Sequence, residues 1–538
     1  MAGIHAWLAS SLQRQFPLGP VGSKGTLQLL AARGERVSFQ ACLRIDGTKP
    51  IEVEAYADAD DESLELPVTV RRVDCVPVPH HNTGTPVEEL DGVGHIPGYV
   101  PDVLFPSQTA VAAPGETTAF WITVKVPRAA RPGRRHIVIE LRPAGLQPIR
   151  LMATVEVSEV ELTRQRKLRV TQWFYVDALC DWYDAKPFNN RCWRVCRSFM
   201  RNYAAHGCDT IYVPMFTPPL DGVKRPTQLL GVKRDARGTY SFNWQRVKRW
   251  VTLARDCGIR HFEWTHLFTQ WGARNAIRVY EKRDGEDRLL WPPHTGATKR
   301  TYRAFLAQFL PSFERFLDAE NLMRRSFFHL SDEPHVEHIE QYRKARAMLR
   351  DLAPWMKVMD ALSDIRFARE SLTDMPVPSI SVAPDFAREG IPCWAYFCCG
   401  PRGKYLNRLM DTPLPKIRMT GWLLYRFGMR GFLHWGYNYW HRSQTRLLID
   451  PFTVSDGHAW PGWAHGDTFE VYPGRHGPID SIRWETFAES LQDYSLLQAR
   501  RVEPLDPLLA PLQDFAEFPK DESWIHAARQ KLLRPDAT

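Results

Sequence analysis

The feature that most constrains the fold is a change of periodicity at the charged run Thr163-Arg-Gln-Arg-Lys-Leu-Arg169. Before it the apolar signal has period two. Phe120, Ile122, Val124 and Val126 alternate with Trp121, Thr123 and Lys125, and Ile137, Ile139 and Leu141 repeat the pattern after an Arg131-Pro-Gly turn. Side chains on successive strand residues point to opposite faces, so this pattern predicts an antiparallel β-sandwich. After the run, strand-like segments alternate with amphipathic helical ones. Eight such units can be counted, with strands expected at Leu168 to Tyr175, Thr210 to Phe216, Arg260 to Phe268, Ser326 to Asp332, Lys357 to Leu362, Ser379 to Ala383, Cys393 to Cys399 and Gly431 to Tyr439. The clearest helix carries Tyr302, Phe305, Leu306, Phe309, Leu310, Phe313, Phe316 and Leu317 on one face, with Pro311 as an expected kink. The expected fold is therefore a multidomain β plus α/β protein. A sandwich over residues 1–165 precedes a (β/α)8 TIM-type barrel over 166–502, and a helical extension over 503–538 packs on the barrel. Insertions are expected at Pro218 to Asn243, Gly272 to Thr298 and His441 to Pro478. The Pro/Gly-rich stretch from Val76 to Pro106 is too long to float, and should lie over the neighbouring domain.

Composition narrows the class. The chain has 538 residues, 44% of them hydrophobic, and no apolar run near the roughly 18 residues that span a bilayer. The net charge is +9, but basic and acidic residues are interleaved and the runs Arg131 to Arg135 and Arg164 to Arg169 are short, so a solvated face is favoured over a nucleic-acid footprint. Ten cysteines lack CxxC pairs and are sparse for a disulfide scaffold. The N-terminus has no basic region before a short apolar stretch, which makes it a poor signal peptide and leads to an expectation of cytoplasmic residence. Neither a phosphate-cradling G-x-x-x-x-G-K-[ST], a G-x-S-x-G elbow nor an H-E-x-x-H metal motif occurs. Nineteen tryptophans offer flat apolar faces with one N–H donor each, and sugar rings are one ligand class that uses such faces.

In a (β/α)8 barrel the reacting groups sit at the C-terminal strand ends. The fourth expected strand, Phe327-Phe-His-Leu-Ser-Asp-Glu-Pro334, ends in adjacent carboxylates, Asp332 and Glu333. Acids here could simply cap the next helix, through Asp332 or Ser331. Two carboxylates held together cannot both ionise freely, however, and one kept protonated is what glycosidic cleavage requires of its general acid. Residues at neighbouring strand ends complete a candidate sugar pocket: Trp173, Trp264, His266, Asp360, Trp394, Tyr396, Trp435 and Asn438. His335 and His338 have HxxH spacing but belong more naturally to a first helical turn, and Cys192 with Cys196 to a core. Neither a metal nor a cofactor is expected.

Five strings then resemble glycoside hydrolase family 123, the DUF4091 domain, whose characterised members are β-N-acetylgalactosaminidases. They are Ser331-Asp-Glu-Pro334, Trp394-Ala-Tyr-Phe-Cys-Cys-Gly-Pro401, Gly431-Phe-Leu-His-Trp-Gly-Tyr-Asn-Tyr-Trp440, Gly466-Asp-Thr-Phe-Glu-Val-Tyr-Pro-Gly474 and Ser481-Ile-Arg-Trp-Glu485 with Asp493-Tyr494. The resemblance spans nearly the whole chain, because the family also places a β-sandwich before its barrel. It implies a retaining hydrolase in which the sugar's own 2-acetamido oxygen attacks the anomeric carbon. Glu333 would then be the acid/base, and Asp332 would orient the acetamido group. The alternatives are a glycosidase for another sugar, an anionic one included, or a non-catalytic carbohydrate-binding barrel.

Overall fold

The computed structural model describes residues 3–59, 66–218, 226–442, 445–455 and 463–534. Two sheets form the N-terminal part. One has seven strands in the spatial order Ile4–Ser10, Arg36–Ile45, Thr118–Lys125, Val68–Val78, Gly98–Phe105, Gly477–Ser481 and Val471–Gly474. The other has five, in the order Thr26–Arg33, Ile149–Glu161, Gly133–Pro143, Ile51–Ala59 and Thr109–Ala112. All pairs are antiparallel except Thr26–Arg33 with Ile149–Glu161, which is parallel. Between the sheets lies a core built from alternate residues, among them Phe39, Ala41, Phe120, Ile122, Val53, Ile137 and Ile139. Register explains the selection, since Phe39 pairs with Ile122 and Ala55 with Leu141 on the same inward face.

The opposite face of the seven-stranded sheet is not solvated. Trp121, Cys42 and Val103 belong to the core cluster of the second domain, which is why Trp121 is buried although it falls on the polar phase of its strand. The last two strands of that sheet come from the far end of the chain, so the sandwich is completed by residues 471–481. Arg483, wholly buried, ties the two parts together. Its guanidinium donates to Asp102 of the sandwich at 3.2 Å and to the carbonyls of Gly466 and Phe469. The 76–106 stretch does contact the second domain, through Thr83 Oγ1 to Asp411 at 2.9 Å and Lys416 to Glu89 at 2.8 Å. Its second half is a regular strand, Gly98–Phe105, rather than irregular chain.

In the second domain a curled, six-stranded parallel sheet has the order Ser326–Phe328, His261–Trp264, Thr210–Val213, Arg169–Gln172, Gly431–His434, Ala395–Tyr396. A separate parallel pair, Met359–Ala361 with Met375–Val377, meets its two edges through single bridges, Phe328 with Val358 and Ser379 with Tyr396. The sixth strand thus lies upstream of the expected Ser379 to Ala383, where a turn leads into the helix Ala383–Arg388 instead. Helix Arg300–Ala319 runs unbroken through Pro311, with all eight of its expected apolar residues buried. The C-terminal helix Glu522–Leu533 lies between the two domains. Arg529 donates to Glu35 at 2.7 Å on one side, and Trp524 meets Trp422 edge-on at 5.2 Å on the other. Two expected insertions, 218–243 and 441–478, fall partly outside the described residues. No helix among the described residues is long and apolar enough to cross a membrane.

Candidate active site

Side-chain alternation sorts each parallel strand into an inward and an outward face. On His261–Trp264 the inward residue near the strand end is Glu263, and Trp264 points outward. Its indole packs edge-on against Phe313 at 4.9 Å and donates to Ser326 Oγ at 2.9 Å. Trp264 therefore belongs to the strand–helix interface and not to a sugar pocket. Trp394 faces inward but in the bottom layer, against Phe327 at 4.9 Å. A Cβ on Gly431 would lie 2.2 Å from its ring, so the glycine makes room for the indole. Asn438 is buried and clamps the backbone of Tyr175, accepting from its N–H at 2.9 Å and donating to its carbonyl at 3.0 Å. With both ends of its amide engaged, Asn438 is a backbone brace rather than a sugar contact.

The remaining candidates converge. Strand pairing on the fourth strand ends at Phe328, and the chain beyond it is held by side chains. Asp360 Oδ1 accepts from Leu330 N at 2.9 Å and Ser331 N at 3.3 Å, while Ser331 Oγ donates to Thr269 O at 2.8 Å and accepts from Ala273 N at 3.2 Å. Glu333 N donates to Ala361 O at 3.0 Å, and Asp332 O accepts from Trp271 N at 2.7 Å. Glu333 itself has φ +43°, in the left-handed region that a non-glycine residue enters only at a cost of about 1–3 kcal/mol. The surrounding bonds hold it there, and its half-buried carboxylate accepts from Tyr396 Oη at 2.6 Å. Burial first, then the Glu333 charge, keep the Tyr396 phenol well above its ordinary pKa, so it stays a donor. Asp332 is buried, and its charge, after burial and that of Glu263, contributes to raising Tyr212. Neither Asp332 nor Ser331 caps a helix: the next helical turn begins at Val336 and is capped by His335 with His338. That pair fills a first helical turn.

Beneath the carboxylate pair lies a buried polar layer in which sequence reasoning found Asp360, His266 and Trp173 but missed His329 and Glu263. His329 sits between two carboxylates, with Nε2 2.7 Å from Glu263 and Nδ1 3.3 Å from Asp360. Burial alone would lower the His329 pKa, but the two acids raise it to about 9, so it is an imidazolium at neutral pH. Glu263 also accepts from Trp173 Nε1 at 2.7 Å, and Asp360 from Tyr342 Oη at 2.5 Å. Burial raises the Asp360 pKa in spite of those donors. His266 stacks on His329 at 4.2 Å and stands edge-on to Trp173 at 5.4 Å. Burial and the neighbouring His329 charge push its pKa well down, so it is neutral. Its Nδ1 lies 3.1 Å from Tyr212 Oη, and its Nε2 has no hydrogen-bond partner among the described residues. His266, His329 and Asp360 could bring three ligand atoms to one metal ion. In the structure His329 instead spends both ring nitrogens on Glu263 and Asp360.

One further strand end, that of Gly431–His434, closes the rim. Trp435 donates its indole N–H to Asp467 at 2.9 Å and packs against Tyr439 and Trp463. His434 lies 3.4 Å from Asp467, and burial lowers its pKa to about 4. Glu263 and His329 did leave a sequence signal, because each interrupts an apolar strand, Phe262-Glu-Trp264 and Phe328-His-Leu330, where a buried charge needs a partner.

With this geometry in view, residues 173–500 match the family model described as glycoside hydrolase 123, catalytic domain. The chain belongs to glycoside hydrolase family 123. It is a glycoside hydrolase, and its substrate is a carbohydrate. A family 123 glycoside hydrolase from Clostridium perfringens, analysed for glycolipid glycan hydrolysis, superposes with a TM-score of 0.77 at 14% identity, covering 99% of this chain and 98% of that one. At that identity the likeness concerns the fold. A GH5 xyloglucanase from Bacteroides ovatus covers 90% of this chain and 99% of its own at 12% identity, with a TM-score of only 0.33. No curated protein matches the sequence.

Proposed function

We propose that this family 123 enzyme is a retaining, exo-acting β-N-acetylgalactosaminidase that uses the substrate's 2-acetamido group as nucleophile. The observation that carries the reading is the saturation of Asp360 and Glu263, the two carboxylates beneath the pair. Asp360 is consumed by His329, Tyr342 and two backbone amides, and Glu263 by His329, Thr171 and Trp173. Asp332 and Glu333 are adjacent on one turn, with Glu333 held at φ +43°, and they carry the chemistry without a separate carboxylate nucleophile.

Glu333 protonates the departing glycosidic oxygen while the acetamido carbonyl oxygen bonds to the anomeric carbon, giving an oxazolinium ion. Asp332 accepts from the acetamido N–H and stabilises the positive charge growing there. Glu333, now a carboxylate, takes a proton from water as that water opens the ring, so that the β configuration is restored. Tyr396 fixes the Glu333 carboxyl group, and the buried His266, neutral and edge-on to Trp173, backs the layer beneath the pair. Trp435 gives the sugar a flat apolar face. The two single-bridge junctions at Val358 and Ser379 support reading the parallel strands as a complete (β/α)8 barrel, and the enzyme is proposed to work in the cytoplasm.

An aryl 2-acetamido-2-deoxy-β-galactoside should be cleaved and the matching β-galactoside should not. Proton NMR of early hydrolysis should show the β anomer first. An α product, or equal cleavage of the plain galactoside, would remove substrate assistance.

A further inference from the structure

We infer that the N-terminal end of the parallel sheet, opposite the Asp332–Glu333 end, carries a binding site for a small oligoanion bearing two or more phosphate or sulfate groups. Arg169 opens the first strand, Arg260 precedes the third, and Arg324 and Arg325 precede the fourth. Because the strands are parallel, these residues gather at one end. Together with the inter-domain run Arg164 to Arg166 they surround a cavity of about 1320 Å³ lined by seven arginines.

The acids nearby neutralise only part of that charge. Glu161 serves Arg128 at 2.7 Å and Arg164 at 3.6 Å, and Asp209 serves Arg169 at 2.9 Å and His261 at 3.6 Å. Arg166, Arg260, Arg324 and Arg325 form no ion pair among the described residues, and Asp318 is the one other acid in the lining. Arg166 donates to Gly207 O, but its Nε is buried without a partner. Burial lowers its pKa, although Asp209 pulls the other way. Four unpaired guanidinium groups around one recess repel one another, so they weaken this end of the barrel instead of stabilising it, and a bound anion would relieve both the repulsion and the buried donor. The guanidinium fork matches the oxygens of phosphate and sulfate. The lining contains no Phe, Tyr or Trp, hence no platform on which a nucleobase or a sugar ring could stack, which favours a compact oligoanion over nucleic acid.

The test is calorimetric titration of the full chain at low salt with inorganic tripolyphosphate and, in parallel, with sucrose octasulfate. Saturable binding of either is expected, and the tighter of the two names the source of the anionic groups. The double variant Arg260→Glu with Arg324→Glu, both exposed positions, should weaken binding by at least about tenfold, equivalent to roughly 1.4 kcal/mol. Its glycoside turnover should stay unchanged, and its unfolding midpoint should hold or rise as the repulsion is relieved. Absence of binding to both probes, binding that the double variant retains, or association with anionic lipid vesicles alone would each overturn the site.

Discussion

Two sets of acids sit one layer apart in the second domain and meet opposite fates. In the lower layer Glu263 and Asp360 are fully buried, grip one imidazolium between them, and accept from Thr171, Trp173 and Tyr342 as well. In the upper layer Asp332 is only just covered, and Glu333 stands half-exposed on a backbone turned into the left-handed region, bonded to the phenol of Tyr396. Residue type does not distinguish the layers; depth of burial and backbone conformation do. A fully buried carboxylate whose lone pairs are filled holds the structure, whereas Glu333, held half-exposed at a conformational cost, is available for chemistry. The lower layer also positions the upper, because Asp360 binds the amides of Leu330 and Ser331, the two residues before Asp332.

The largest effect that could break this contrast is at Glu333. Glu333→Gln should lower turnover of alkyl glycosides by about 10²–10⁴-fold and of aryl glycosides with good leaving groups far less, since proton donation matters most to a basic leaving oxygen. Steady-state rates on the two substrate classes decide it, and equal losses would strip Glu333 of the acid role. Asp332→Asn comes next. If it stabilises the charge of the acetamido step, kcat should fall by about 10²–10³-fold with either leaving group, with the unfolding midpoint little changed. A small loss would move Asp332 into the supporting layer.

The lower layer should answer in stability rather than chemistry. His329 has a folded pKa of about 9, above the ordinary imidazole value of 6.5. A group raised in the folded state contributes stability fully below its unfolded pKa and loses it as pH rises through the folded one. Thermal melts should therefore show the midpoint falling between pH 6.5 and just beyond 9. His329→Gln should flatten that limb and cost on the order of 3–5 kcal/mol at neutral pH, because it leaves two buried carboxylates without their cation. A His329→Gln enzyme with wild-type stability and an unaltered alkaline limb would mean that the imidazolium pairing is not what holds the layer.

How much of this was legible beforehand follows the same division. Period-two alternation exposed the sandwich and the i, i+3, i+4 pattern exposed helix Arg300–Ala319, because both depend on local side-chain direction. The Asp332–Glu333 string was readable because its two acids are adjacent in sequence. The sixth strand was misplaced because Pro376 and Pro378 hide a short strand whose extended form is imposed by its neighbour Met359–Ala361. Trp264, Trp394 and Asn438 were assigned to the pocket by proximity to strand ends, and tertiary register decided otherwise: one faces the helices, one the bottom layer, one a backbone. The joining of residues 471–481 to the first domain's sheet depends on contacts hundreds of residues apart, which no local pattern encodes.

The smallest predicted effect separates two tryptophans that look alike in sequence. Trp264 is buried against Phe313 and Phe316, and Trp435 is half-buried over Asp467 at the rim. Trp264→Phe leaves a partly filled gap behind the sheet and frees Ser326 Oγ, which still bonds Leu322 O at 2.9 Å. It should cost about 1–3 kcal/mol of stability while leaving KM within about twofold of wild type. Trp435→Phe, in contrast, removes the N–H that fixes the ring and part of the flat face offered to the sugar. KM should rise by up to about tenfold, roughly 1.4 kcal/mol, with a stability change below about 1 kcal/mol. Denaturant melts and KM measured on both variants give a two-by-two outcome. If the two tryptophans exchanged behaviour, Trp264 raising KM and Trp435 lowering stability, the assignment of outward and rim faces from strand alternation would fail at this end of the sheet.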